Sequence, residues 1–420
     1  MPVLLDPDRI DFAGIVRPGD LVMPAQLGGE PPLLLRALLR QADRLGGIRL
    51  LLGFPLSDLA AEAPRDSVRL IGFGGFGVNA RLFDERRIEI VPAQFARYAD
   101  LIARGILRPD VVLLQATPAD ERGRHSLGVT VDCLPTAIAE ARAVVAEINA
   151  RMPWTDGDSV IDGAQLDYAV RAAQPPAEWR PRPPGPVDEA IADHVARLVP
   201  DRAVIQYGVG SGPDAIAARL ARKRDLGIHS GSLADSYVDL VEAGAVSNRY
   251  KEIDPGLSVT TALYGSERLY AFAHRNRSIR MRASSYTHSQ EVLRHFECLI
   301  AINGALEVDL TGQVNAEAVG GRYIGAVGGQ LDFQRAALRS PRGRGIITLA
   351  ATSRDGRHSR IVARLDGPVT TPRSDADTVV TEYGVAELQG RTLEERARAL
   401  IAIAHPDHRA ALAGALDDLA

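Results

Sequence analysis

Two cysteines, Cys133 and Cys298, are all that the 420 residues contain. That excludes a disulfide framework and leads us to expect a reducing, cytoplasmic setting. No apolar run of about 18 residues occurs, so no membrane partner is expected. The opening stretch "MPVLLDPDRIDFAG" carries three aspartates and lacks the basic head and apolar stretch of a signal peptide. Aromatic residues are only 5% of the chain, and the formal net charge of −4 is spread without long runs of one sign. A basic stripe interleaved with aromatics is missing, which argues against a nucleic-acid partner. Neither a G-x-S-x-G elbow nor a P-loop lysine motif is present. "HPDH" at His405–His408 has Pro406 where a helix would begin and no cysteine beside it, so we expect a helix start and no metal.

What is present is a profile of 46% apolar and 24% charged residues, enough for two globular domains with ample cores. The sharpest break is "QPPAEWRPRPPGPVDEA", with six prolines between Gln174 and Pro186. Neither a helix nor a central strand tolerates that density, so it marks a linker between domains at 1–180 and 181–420. "GDLVMPAQLGGEPPLLLRALL" and "DRAVIQYGVGSGPDAIAARLA" then share one layout: strand, glycine turn, proline, helix. In it Gly28 aligns with Gly210 and Pro31 with Pro213. An internal duplication accounts for this. Apolar strand-like runs alternate with helical ones throughout, so the expected class is α/β: two similar open domains with mostly parallel sheets and helices on both faces.

Three glycine clusters follow predicted strands: "GFGGFG" (Gly72–Gly77), "GVGSG" (Gly208–Gly212) and "GAVGGQLDF" (Gly325–Phe333). Each is either a tight connection or a backbone cradle for an anion, and around Gly328 and Gly329 for an oxyanion. "GVGSGP" lacks the third glycine of the dinucleotide fingerprint. "LGIHSGSLADSYVDL", from Leu226, reads as a strand followed by a polar loop holding His229, yet no carboxylate, cysteine or lysine stands between His229 and Asp235. Glu307 and Asp309 in "ALEVDL" are open to a structural or an acid–base role, and Cys298 lies in a core-like run.

The stretches "INGALEVDLTGQVNAEAVGGRYIGAVGGQLDFQRAA", "VTTPRSDADTVVTEYGVAELQGRTLEERARALIAIAHPDHR" and "PDVVLLQATPADERGRHSLGVT" resemble the acetyl-CoA hydrolase/transferase family, in particular coenzyme A transferases of the 4-hydroxybutyrate and butyrate kind. The resemblance runs from about Gly19 to His408 and implies CoA-transferase-like domains with the active site in a cleft between them. It also implies acyl-CoA and a carboxylic acid as substrates, a homodimer, and a glutamate nucleophile that carries the acyl group and then CoA. Carried over by position, Gly208, Gly210 and Pro213 shape the coenzyme A site. Gly328 and Gly329 form the oxyanion turn, and Gly28, Gly29 and Glu30 face the substrate cleft. The glutamate column falls on Gly231, and an asparagine column falls on His288, or on Ser289 if the register slips. The space vacated at Gly231 is expected to admit a water that His288 or His229 activates, with the Gly329 N–H as oxyanion donor. The expected function is conversion of an acyl-CoA thioester, chiefly hydrolysis, without a glutamyl-CoA intermediate. Two alternatives stand beside it: a transferase with a relocated carboxylate such as Glu30 or Asp235, and a CoA-binding protein without turnover.

Overall fold

The apolar runs of the first 172 residues assemble into one eight-stranded sheet. Its strands are β1 (Val3–Leu4), β2 (Leu21–Pro24), β3 (Ile48–Leu52), β4 (Val68–Gly72), β5 (Ile88–Ile90), β6 (Val111–Ala116), β7 (Ala143–Asn149) and β8 (Tyr168–Ala172). They lie in the order β1-β8-β7-β6-β2-β3-β4-β5, and every pairing is parallel. All six positions of β6 are buried, as a strand covered on both faces requires. Alternation sends Leu50, Leu52 and Leu113 to one face, where α1 (Pro32–Gln41) packs with Leu34, Leu35 and Leu38. Leu51, Val112 and Leu114 face the other way, toward Tyr98 and Ile102 of α2 (Arg97–Ala103) and Ala137 of α3 (Leu134–Glu140). Helix α1 has no side-chain cap of its own; Glu147 of β7 accepts the Leu34 N–H at 2.9 Å instead.

This computed structural model describes residues 2–6 and 10–416, and the chain divides into two units. The first holds Met1–Arg180, Val259–Thr287 and Arg322–Gly328; the second holds Pro181–Ser258, His288–Gly321 and Gly329–Ala420. Segment 259–287 is sewn into the first unit by backbone bonds, with Val131 N–H donating to Thr261 O at 2.9 Å and Leu263 N–H to Val129 O at 2.8 Å. The proline-rich stretch is anchored at its start: Trp179 N–H donates to Gly265 O at 3.0 Å, and its ring stacks on Tyr264 at 4.4 Å.

Pro186 then opens α4 (Pro186–Leu198), in the first-turn place where a missing N–H costs nothing. The second unit contributes β9 (Val204–Tyr207), β10 (Gly227–Leu233), β11 (Leu299–Gly304), β12 (Arg344–Thr348), β13 (Thr378–Thr381) and β14 (Gly384–Glu387). They lie in the order β10-β9-β11-β12-β13-β14, and only the last pair is antiparallel. In both units the first strand of the repeated layout, β2 or β9, sits between its immediate successor and a strand reached much later. Such a reversal of direction is where open α/β sheets form a crevice at the carboxyl ends of their strands. The helices that follow in the second unit are α5 (Ser211–Leu220), α6 (Asp235–Glu242), α7 (Gln330–Arg339) and α8 (Leu393–Ile403).

Candidate active site

In the second unit β9 ends at Tyr207, and the chain turns through Gly208 and Gly210 into α5. Gly210, at φ +124°, is the N-cap of α5 and holds a conformation that L side chains rarely adopt. Pro213 sits in the first turn, where backbone N–H groups lack intrahelical partners. A Cβ on Gly208 would meet only Pro213 Cγ at 3.8 Å, and one on Gly210 only Pro213 Cδ at 3.9 Å, so the turn stands open. Behind it, burial pushes the Asp214 carboxyl above its usual range; Asp235 and Asp239 add to the shift and the Ser236 hydroxyl opposes it. Burial likewise pushes the Tyr207 phenol well up.

The polar run after Ile228 is strand rather than loop, because β10 continues to Leu233. Alternation puts His229, Gly231 and Leu233 on one face and Ser230 on the other. Ser230 Oγ donates to the Tyr207 carbonyl at 3.1 Å, tying β10 to the end of β9. His229 is wholly buried, its ring edge-on to Phe296 at 5.1 Å.

His288 fills the space beside Gly231. A Cβ on Gly231 would lie 2.9 Å from His288 Nε2 and 3.0 Å from its Cε1. On Gly329 it would lie 2.4 Å from both Nε2 and Cδ2. The imidazole therefore rests against two bare backbones, its third side edge-on to Phe333 at 4.8 Å, and it is only 4% exposed. This places the His288 side chain at Gly231. The space expected to hold water holds the ring. Gly329 is the N-cap of α7, whose first-turn N–H groups form the positive end of the helix. Gly328 precedes it with φ +57° and nothing within 4 Å of a built Cβ.

Lys251 supports this strand from beneath. Its Nζ donates to Ile228 O at 2.9 Å and Leu257 O at 2.7 Å, and burial lowers its ammonium to about 7. Lys251 belongs to none of the motifs described above. A signal was there: the chain has only two lysines, Lys223 and Lys251, amid abundant arginine. A guanidinium stays charged and is bulky, whereas a buried amine can shed its proton.

In the first unit Gly28 and Gly29 form a buried 3-10 turn, and a Cβ on Gly28 would strike Tyr270 Oη at 2.7 Å and Ala177 O at 3.0 Å. Glu30 accepts from Ser57 Oγ at 2.8 Å and Ser57 N–H at 3.2 Å, while burial raises its carboxyl above the ordinary range. Asp235 opens α6 as a half-buried first-turn acid. Asp309 accepts from Thr311 and Gln313, and Glu307 accepts from Asn315. The "GFGGFG" glycines serve close packing: Cβ atoms on Gly74 and Gly75 would collide with Ala326 Cβ at 2.4 Å and Tyr323 O at 2.0 Å. His405 caps the helix Pro406–Gly414. Among the described residues no group of three His, Cys, Asp or Glu is placed to hold a metal, and no helix is long and apolar enough to cross a membrane.

Residues 78–177 match the model for the acetyl-CoA hydrolase/transferase N-terminal domain, and residues 265–416 match that for the C-terminal domain. The chain is 37% identical over 395 residues to a 4-hydroxybutyrate coenzyme A transferase of Clostridium kluyveri, covering 93% of this chain and 92% of the relative. It is 27% identical over 355 residues to an acetyl-CoA hydrolase of Eremothecium gossypii, covering 73% and 66%. The crystal structure of RipA from Yersinia pestis superposes with a TM-score of 0.93 at 32% identity, over 99% of this chain and 97% of that one.

Proposed function

Because this chain belongs to the acetyl-CoA hydrolase/transferase family, we propose that it hydrolyses an acyl-CoA thioester with His288 as general base and no glutamyl-CoA intermediate. The observation that carries this is the imidazole of His288 lodged against both Gly231 and Gly329. At 231 there is no side chain to attack a thioester, and the ring at 288 holds the adjoining space. Small movements of that ring would let a water stand between Nε2 and the thioester carbonyl.

In the reaction, Nε2 takes a proton as the water oxygen attacks the carbonyl carbon. The oxyanion is met by the Gly329 N–H and the positive end of α7. Collapse breaks the C–S bond, and the imidazolium returns its proton to the departing thiolate, giving carboxylic acid and free CoA. Gly208, Gly210 and Pro213 shape the coenzyme A site, with the open turn and the N-terminus of α5 offering N–H groups to its phosphates. Gly328 supplies the left-handed backbone that turns the chain into Gly329. His229, wholly buried against Phe296, packs behind the reacting groups.

The test is thiol release from a panel of acyl-CoA esters, with and without an acceptor acid. Release should be independent of acceptor, and His288→Ala should slow it by roughly 10²–10⁴-fold, the usual worth of a positioned base. Ping-pong transfer to the acceptor would sink the proposal. The 4% exposure of His288 favours one second reading, a CoA-binding protein without turnover. In that case CoA at 100 Kd would add about 2.7 kcal/mol of stability while every ester stayed intact.

A further inference from the structure

Four consecutive strands of the first unit start at one end of its sheet, and the turns that enter them converge. Gly19 precedes β2, Gly46 and Gly47 precede β3, Arg65 and Asp66 precede β4, and Arg86 and Arg87 precede β5. With Arg49 and Arg69 these residues line a pocket of about 490 Å³. A Cβ on Gly19 or Gly47 would meet nothing within 4 Å, so part of the wall is bare, open backbone.

The parallel register sets Arg49 of β3 directly beside Arg69 of β4. Adjacent strands lie about 4.8 Å apart, and like charges at that spacing repel. The surrounding protein relieves this only in part. Arg69 forks onto Glu89 at 2.8 and 2.6 Å, while Arg49 Nε donates to the Gly19 carbonyl at 3.2 Å. Arg87 donates to the carbonyls of Ala61 and Ala63 at 2.9 and 2.7 Å, and Arg65, two-thirds exposed, stands 3.9 Å from Glu85. Five guanidinium groups thus share three carboxylates, Asp66, Glu85 and Glu89.

We propose that this arginine-lined pocket binds a diphosphate-bearing small anion. The planar fork of arginine matches phosphate oxygens, and two linked phosphates can reach the Arg49–Arg69 pair and the turn arginines together. The pocket opens at the amino ends of the strands, whereas α/β sheets take their substrates at the carboxyl ends. Its occupant therefore binds at the end of the first sheet opposite its carboxyl-end crevice.

Calorimetric titration of the full chain with inorganic pyrophosphate, against sodium chloride of equal ionic strength, tests this. One equivalent should bind, and Arg49→Gln and Arg65→Ala should each weaken binding by roughly tenfold, as expected for loss of a charge-assisted contact. Arg49→Gln should also leave the unliganded melting temperature equal to or above the parent's, because it removes the like-charge neighbour of Arg69. Thiol release from acyl-CoA should be the same in both variants. No binding beyond the chloride control, or binding unchanged in both variants, would overturn the proposal. A fall in the melting temperature of unliganded Arg49→Gln would do so too, since it would make Arg49 a structural group.

Discussion

The repeated strand–turn–helix layout has opposite fates in the two units. After β2 the turn is closed: Gly28 has Tyr270 Oη, Ala177 O and Val129 Cγ2 all within 3.0 Å of a built Cβ, and Glu30 is engaged by Ser57. After β9 the turn is open, with only Pro213 near Gly208 and Gly210. One copy is closely packed, and the other leaves space beside its glycines. A third group of glycines, Gly231 and Gly329, is closed by one side chain, His288. A glycine in a sequence announces room or backbone freedom; what claims the room differs in each of the three places.

The largest effect should come from breaking the closure at His288. Gly231→Glu alone should be inactive, because its side chain and the imidazole need the same volume. Combined with His288→Asn it should regain acceptor-dependent transfer. The pair should couple by about 1–3 kcal/mol, a roughly 5- to 150-fold rate difference read from acceptor-dependent CoA exchange. Additive behaviour would show that the ring does not exclude the carboxylate.

Next come the two turns. Gly28→Ala should cost about 1–3 kcal/mol by overpacking, measured by denaturant unfolding. Gly208→Ala should stay within about 0.5 kcal/mol and act only on CoA binding. Equal costs would erase the contrast between a packed and an open copy.

The smallest effect concerns pH. Burial lowers Lys251 to about 7 in the folded chain, against an ordinary value of 10.5 when unfolded. Between those values the unfolded chain holds the extra proton, so this group makes stability rise as pH climbs from about 7, and its contribution is least below 7. Asp254 and Glu252 lie close enough to favour the charged form, which moderates the effect. Lys251→Met should flatten the rise in melting temperature between pH 7 and 9. A slope identical to the parent's would show that Lys251 stays charged in the fold.

Much of the architecture was legible. Fully apolar runs such as Val111–Leu114 read as buried parallel strands, and the aligned prolines and glycines revealed the repeat, since periodicity follows from strand geometry. The polar run after Ile228 misled as a loop: its small residues resemble turn chemistry, but the strand runs on to Leu233, and the Ser230 hydroxyl ties it to the end of β9. The three glycine clusters looked alike. Only distant partners, Tyr323 and Ala326 for one and His288 for another, set them apart.

By itself the sequence determined the α/β class, the repeat, the family and the absence of a carboxylate at 231, because these rest on residue type and local spacing. The tertiary structure decided that the imidazole of residue 288, fifty-seven positions further along, fills that place, and that Lys251 holds the strand beneath it. It also decided that arginines from separate turns meet at one end of the first sheet. Such meetings depend on register between strands and on which volume a distant side chain claims, and neither quantity is written in local pattern.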